Sequence, residues 1–298
     1  MPAAGTGFVA GGSVAWSGGQ ASPQVPVPVG ATDCHFHIYD ARQPVVAETV
    51  LRHGDASVED YRALQRRLGT SHGVLVQPST YGTDNGLHLA ALQDLGTERF
   101  RMVAVVDPGV ADAELRRLHA AGVRGVRFNL TQPGPLALGD LEPMARRLAE
   151  LGWHCQLNMR PDQVVAAERM LLCLPCRIVF DHLGRIRDPE GPDAEAFVAI
   201  RRLLDHGRAW MKLSGIYITS REGSPGYADA GAVAVAFATA APERMLWGSD
   251  WPHPTKLADQ KPDDARLLDL LAEWVPNEDA RRRVLVDNPA EVYGFPPG

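Results

Sequence analysis

The chain reads as an α/β protein, a single (β/α)8 barrel preceded by an irregular arm. Three observations predict this fold. Short β-rich runs alternate eight times with segments of helical spacing. The 298 residues match one barrel of this kind. Polar residues on the strand candidates share parity and gather towards the strands' late ends.

Residues 1–30 are rich in Gly, Ala, Ser, Pro and Val and contain no Lys or Arg. They lack the positive segment and continuous apolar run of a secretory signal, so they are expected to lie as an arm on the barrel surface, docked through Trp16. Residues 31–298 are the barrel. Its strand candidates are Ala31–Ile38, Gly73–Ser79, Met102–Val106, Val123–Leu130, His154–Met159, Ile178–Leu183, Trp210–Gly215 and Met245–Trp251. Between the first two, Val58–Leu68 repeats apolar residues three and four apart; Asp112–Ala121 does the same after the third. Gly69, Gly96, Gly122 and Gly152 stand where helix C-termini are expected. Strand–helix alternation requires parallel strands with crossover helices, and at this length a closed barrel fits better than an open sheet. No linker or low-complexity tract divides the chain.

Composition bounds the function. The chain is 45% hydrophobic and 22% charged, with net charge −6 and pI near 5.9, which argues against a nucleic-acid partner. No run approaches the roughly 20 apolar residues of a membrane span. A core of this size needs no disulfide or structural metal. Cys173 and Cys176 form one C-x-x-C with no second pair, so ordinary thiols are expected, and the cytoplasm is the default compartment. Helices outside the barrel offer room for a homodimer face, but no stripe marks one.

On the first strand His35 and His37 share one face, with Cys34, Phe36 and Ile38 on the other. The inward parity of later strands carries Gln77 and Ser79, Arg127 and Asn129, Gln156 and Asn158, then His182, Lys212 with Ser214, and Asp250. Polar groups inside a barrel are costly unless paired or used. Two imidazoles two residues apart can grip one ion or one oxygen. Alone, His-x-His fits two structural histidines equally well. With Asp181-His182-Leu-Gly184 and Gly248-Ser-Asp250-Trp-Pro-His253 at later strand ends, three histidines and a carboxylate converge at one mouth. Arg127 and Lys212 lie inside apolar runs, and a buried cation needs an anion. That anion is expected to be a carboxylate or sulfonate of the ligand, with Arg127 suited to bidentate recognition.

Four motifs, Asp33-Cys-His-Phe-His37, Gly125-Val-Arg-Phe-Asn129, Phe180-Asp-His-Leu-Gly184 and Gly248-Ser-Asp-Trp-Pro-His-Pro254, together with Val76-Gln-Pro-Ser-Thr-Tyr-Gly-Thr-Asp-Asn85, resemble the amidohydrolase superfamily. Within it they are most similar to the lactonase-like branch. The likeness runs over roughly residues 26–295, in the family's order. It implies that Asp250 is the general base, that His35, His37 and His182 polarise the substrate carbonyl directly or through a metal, and that Arg127 holds a substrate carboxylate. A small anionic lactone from aromatic or sugar-acid catabolism would be the substrate. Ser79, Tyr81, Asn129, Asn158, Lys212, Tyr217, Arg221 and His253 are the further candidates around the ring.

The resemblance leaves two cofactor readings open: one divalent ion, zinc by its donor set, on His35, His37, His182 and Asp250, or no metal. A binuclear site is not expected, because such sites use a fourth-strand lysine where this chain has Arg127 and Asn129. The fifth strand departs from the dicarboxylate lactonases, with Gln156-Leu-Asn158 in place of an aromatic hydroxyl. Hydrolysis is favoured over lactone isomerisation because the His35–His37 pair is intact. A zinc-dependent decarboxylase and a catalytically dead binding barrel are the other readings, the last disfavoured by survival of all four core residues.

Overall fold

In the computed structural model, residues 12–47, 49, 51–191 and 193–295 are described. Eight parallel strands run in chain order: β1 (Thr32–Phe36), β2 (His72–Val76), β3 (Phe100–Ala104), β4 (Val123–Asn129), β5 (His154–Asn158), β6 (Arg177–Phe180), β7 (Ala209–Leu213) and β8 (Met245–Trp247). The principal helices between them are α1 (Val58–Leu68), α2 (Gly86–Leu95), α3 (Asp112–Ala120), α4 (Leu141–Glu150), α5 (Pro161–Cys173), α6 (Ala194–Asp205) and α7 (Ala228–Ala240). After β8 come α8 (Asp264–Trp274), α9 (Glu278–Arg282) and α10 (Asn288–Tyr293). This is a (β/α)8 barrel. None of the described helices is long and apolar enough to cross a membrane.

Local chemistry sets the elements. Ser57 and Asp60 close a reciprocal cap on α1, and Gly69 ends it in the left-handed conformation. Tyr61, Leu64 and Leu68 form its buried face. Below the strands, Arg101 donates to the carbonyls of Tyr293 and Gly294, so the chain end covers the barrel floor. Residues 12–30 run irregularly over the surface. Trp16 donates Nε1 to the Asp55 carbonyl at 2.7 Å, and Gly18 N–H to the Pro262 carbonyl at 2.8 Å. Residues 1–11 of the arm and 296–298 of the barrel segment lie outside the described residues.

Two differences from the sequence reading matter. Most strands stop early: β2 ends at Val76, β6 at Phe180 and β8 at Trp247, so Ser79, His182 and Asp250 lie in the turns just beyond. Polar side chains there need not sacrifice ladder bonds. Cys34 also does not share the outer face with Phe36. The β1–β2 register shifts between Asp33 and Phe36, a bulge that turns Cys34 inward to pack with Val74, Val76 and Trp210. His35 still points inward, and Phe36 stacks outward on Tyr61.

Candidate active site

The barrel's seam builds the site. β8 is only three residues long, and closure continues through the turn after it. Asp250 N–H donates to the His35 carbonyl and His37 N–H to the Trp251 carbonyl, both at 2.8 Å. Asp33 ties the same turn from behind, accepting from Ser249 N–H at 2.9 Å and Ser249 Oγ at 2.6 Å. Gly248 permits this approach, because a Cβ there would stand 2.7 Å from His35 Cβ. Gly215, with φ +57°, leaves the space beside His182 Nδ1. His182, Leu183, Arg185, Asp250 and His253 also adopt positive φ. Such left-handed backbone costs about 1 kcal/mol or more per non-glycine residue, and here it gathers at the strand ends.

Each histidine is fixed through Nδ1 and presents Nε2. His37 Nδ1 donates to the Val76 carbonyl at 2.7 Å. His182 Nδ1 lies 3.1 Å from Ser214 Oγ. His35 Nδ1 lies 3.2 Å from both Lys212 Nζ and Asp181 Oδ1. The three Nε2 atoms face Asp250 Oδ1, at 3.4 Å for His37, 3.6 Å for His35 and 4.0 Å for His182. Asp250 Oδ2 accepts from the Tyr217 hydroxyl at 2.6 Å. Burial raises the Asp250 pKa, but the surrounding imidazoles outweigh it and hold the carboxyl well below its ordinary range. Burial pushes His35 and His182 down, with Lys212 adding to the effect at His35. Burial thus opposes the protonated imidazoles that hold the Asp250 carboxyl down.

Beneath this group lies a charged floor whose centre is Asp181. Its Oδ2 accepts from Arg127 Nε at 3.1 Å and Gln156 Nε2 at 3.3 Å, and its Oδ1 lies 3.5 Å from Lys212 Nζ. Lys212 also donates to Gln156 Oε1 at 2.7 Å. Asp181 stands in the recognition motif, yet its role escapes the sequence reading. The available signal is its parity with Val179, inward on β6. It changes the electrostatic argument: the anion that Lys212 needs is the protein's own.

Above the floor opens a cavity of about 430 Å³. His37, His182, Asp250, Arg127, Ser79, Asn129 and Asn158 line it, joined by Tyr39 and Arg185. Asn129 Nδ2 donates to Ser79 Oγ at 2.8 Å, and Asn158 Nδ2 to Asn129 Oδ1 at 3.1 Å. Arg185 reaches Asn158 Oδ1 at 3.4 Å and has no carboxylate partner among the described residues. Arg185 and Ile218 also border a neighbouring cavity of about 600 Å³. The other candidates fall elsewhere. Lys212 is fully buried in the floor, and Tyr217 and His253 stand behind Asp250. Tyr81 turns its hydroxyl to the Asp40 backbone. Arg221 is exposed on a loop tied to Asp229. Their positions depend on loop courses that strand periodicity does not specify.

The donor atoms of His35, His182 and Asp250 all lie within 4.8 Å of one another, and His37 stands beside them. Two observations fit a cation there. His35 Nε2 is buried without a hydrogen-bond partner. His37, having given its Nδ1 hydrogen to Val76, turns an Nε2 lone pair towards a carboxylate oxygen, so a proton or a metal ion belongs between them. The arrangement therefore suits a metal site.

Comparison with known proteins agrees with this geometry. A 2-pyrone-4,6-dicarboxylate hydrolase of Comamonas testosteroni is 34% identical over 93% of this chain and 94% of its own length. A 4-sulfomuconolactone hydrolase of Rhizobium radiobacter is 35% identical over 90% and 91%. A D-galactarolactone isomerase of Agrobacterium fabrum is 32% identical over 93% and 95%. A crystal structure from Agrobacterium tumefaciens superposes with a TM-score of 0.84 at 31% identity, covering 93% of this chain and all of that one. Residues 32–295 match the amidohydrolase family profile, from the first barrel strand to the chain end that covers the floor, and the chain belongs to that family.

Proposed function

We propose that the chain hydrolyses a carboxylated or sulfonated lactone. One observation carries the reading: a single carboxylate, Asp250, is pinned through Oδ2 with Oδ1 towards three histidines, in a cavity that also presents two guanidinium groups. The names of the relatives support an anionic lactone, and the cations Arg127 and Arg185 supply its recognition.

Asp250, its carboxyl held below the ordinary range by the imidazoles, accepts a proton from water as the water oxygen bonds to the lactone carbonyl carbon. The ring C–O bond then breaks, and the same proton passes to the departing ring oxygen. One carboxylic acid forms per turnover. Arg127 is oriented by Asp181 through Nε, so its guanidinium meets the substrate anion in a fixed plane. His35, His182 and Asp250, with His37 alongside, would hold a divalent ion, zinc by its three nitrogens and one oxygen, and that ion would supply Lewis-acid polarisation of the carbonyl.

The test is a pH-stat assay on 2-pyrone-4,6-dicarboxylate, 4-sulfomuconolactone and D-galactarolactone. Acid release with ring opening is expected. Product without acid would assign isomerisation instead, the activity in the name of the Agrobacterium fabrum relative. Carbon dioxide release would assign decarboxylation. Metal analysis of the purified protein, with turnover before and after chelation, decides the zinc reading: full activity in a metal-free sample overturns it.

A further inference from the structure

Behind Asp250, on the side away from the cavity, runs a line of buried polar side chains that links the base to the start of α8. The Tyr217 hydroxyl donates to Asp250 Oδ2 at 2.6 Å, His253 Nδ1 lies 3.2 Å from that hydroxyl, and His253 Nε2 lies 3.1 Å from Asp264 Oδ2. Tyr217 is 3% exposed, while His253 and Asp264 are fully buried. We infer that Tyr217, His253 and Asp264 form a positioning chain that fixes the plane of the Asp250 carboxylate and keeps Oδ1 aimed at the histidines. The inference rests on reading Asp250 as the base.

The directions of the bonds follow from proton counting. Tyr217 has one hydrogen and gives it to Asp250, so its oxygen must accept from His253 Nδ1–H. A further hydrogen must then lie between His253 Nε2 and Asp264. An unanchored aspartate rotates about χ2 and loses this aim; one pinned through Oδ2 does not. The anchor is itself held at both ends. His253 N–H donates to the Asp250 carbonyl at 2.8 Å, and Lys261 Nζ donates to the carbonyls of Pro252 and His253 at 2.9 Å each. At the far end, Asp264 N–H donates to Ser17 Oγ of the N-terminal arm at 3.4 Å. The arm, through Ser17, thus braces the chain that aims the base.

Three variants, assayed on 2-pyrone-4,6-dicarboxylate and 4-sulfomuconolactone, test it. Tyr217→Phe should lower kcat about 10- to 100-fold with KM within about twofold, because misplacing a reacting group by 1 Å costs on that order. Asp264→Leu should lower kcat in the same way. Asp264→Asn should stay within about threefold of the parent, because the amide N–H can donate to His253 Nε2 and keep Nδ1–H on Tyr217. The double variant Tyr217→Phe/Asp264→Leu should be no slower than Tyr217→Phe alone, since both cut one chain. Multiplying losses in the double variant, unchanged kcat in Tyr217→Phe, or a rise confined to KM would each overturn the chain. Asp250→Asn separates the underlying reading: if it keeps parental turnover, the base assignment fails, whatever the other variants show.

Discussion

Replacing Asp181 with Asn tests the electrostatic floor most directly. The side chain keeps its shape and loses its charge. Asp181 is fully buried, with Arg127 Nε at 3.1 Å and Lys212 Nζ at 3.5 Å; Lys212 is fully buried too and Arg127 is 6% exposed. At an effective dielectric of about 20, each contact carries roughly 5 kcal/mol of Coulomb attraction, and the net cost of stranding such buried charges is about 3–5 kcal/mol. Lys212 offers the escape route. Burial already lowers its pKa while Asp181 holds it up, so without Asp181 it should shed its proton in the folded state. The unfolded chain would still bind that proton below pH 10.5, making the difference in bound protons positive. Stability should then rise with pH, by up to about 1.4 kcal/mol per unit, between the lowered folded pKa of Lys212 and its unfolded value of 10.5. Equilibrium urea unfolding at pH 7, 8, 9 and 10 measures both effects. Adding Lys212→Met should remove the extra slope and recover part of the loss. A deficit below about 1 kcal/mol at pH 7, or a pH slope matching the parent, would refute the reasoning.

Arg127→Met should lower kcat/KM on a carboxylated lactone about 100-fold, from the loss of a charged hydrogen bond and of the pairing to Asp181. Arg185→Met should raise KM for that lactone at least about tenfold and leave an uncharged lactone unchanged; equal effects on both would remove Arg185 from anion recognition. Gly248→Ala places a methyl 2.7 Å from His35 Cβ, so it should destabilise by about 1–3 kcal/mol and cut kcat roughly 100-fold, as thermal melts and turnover would show. His53, half-buried between Trp16 and Lys261, has its pKa lowered to about 4, chiefly by burial. The unfolded state binds its proton first on acidification, so its contribution is full above pH 6.5 and lost as pH falls towards 4. After discounting for solvent, that is at most about 2 kcal/mol, and His53→Gln should flatten the acid limb of the stability curve.

Strand parity made much of the site legible, because barrel interiors force alternate residues inward. It places Arg127, Asn129 and Asn158 on one wall, and the motifs at later strand ends bring His182 and Asp250 to the same mouth. Where the period breaks, the sequence is silent. The bulge in β1 turns both Cys34 and His35 inward, and nothing in the composition of that strand announces an extra residue. Tyr81 and Arg221 follow strand ends at distances that suggest a ring pocket, but the loops carry them to the Asp40 backbone and to solvent. Tyr217, His253 and Asp264 meet only because the turns after β7 and β8 fold over one another, a contact no local pattern encodes.

The buried cations show a subtler limit. The rule that Lys212 and Arg127 need an anion holds, yet it does not say whether protein or substrate provides one. The structure divides the work. Asp181 serves both cations from below, so Lys212 is complete without a ligand, whereas Arg127 reaches Asp181 through Nε and the Gln77 carbonyl through Nη1 and still lines the cavity beside Arg185. Asp181 also stands 3.2 Å from His35 Nδ1. The carboxylate that neutralises the floor therefore also lies against a histidine that faces Asp250, so the charge balance of the floor and the surroundings of His35 involve the same two oxygens. On the proposed reading, a substrate anion would meet a pocket whose own charges are already arranged, so its binding energy would go to placing the lactone carbonyl rather than to assembling the site.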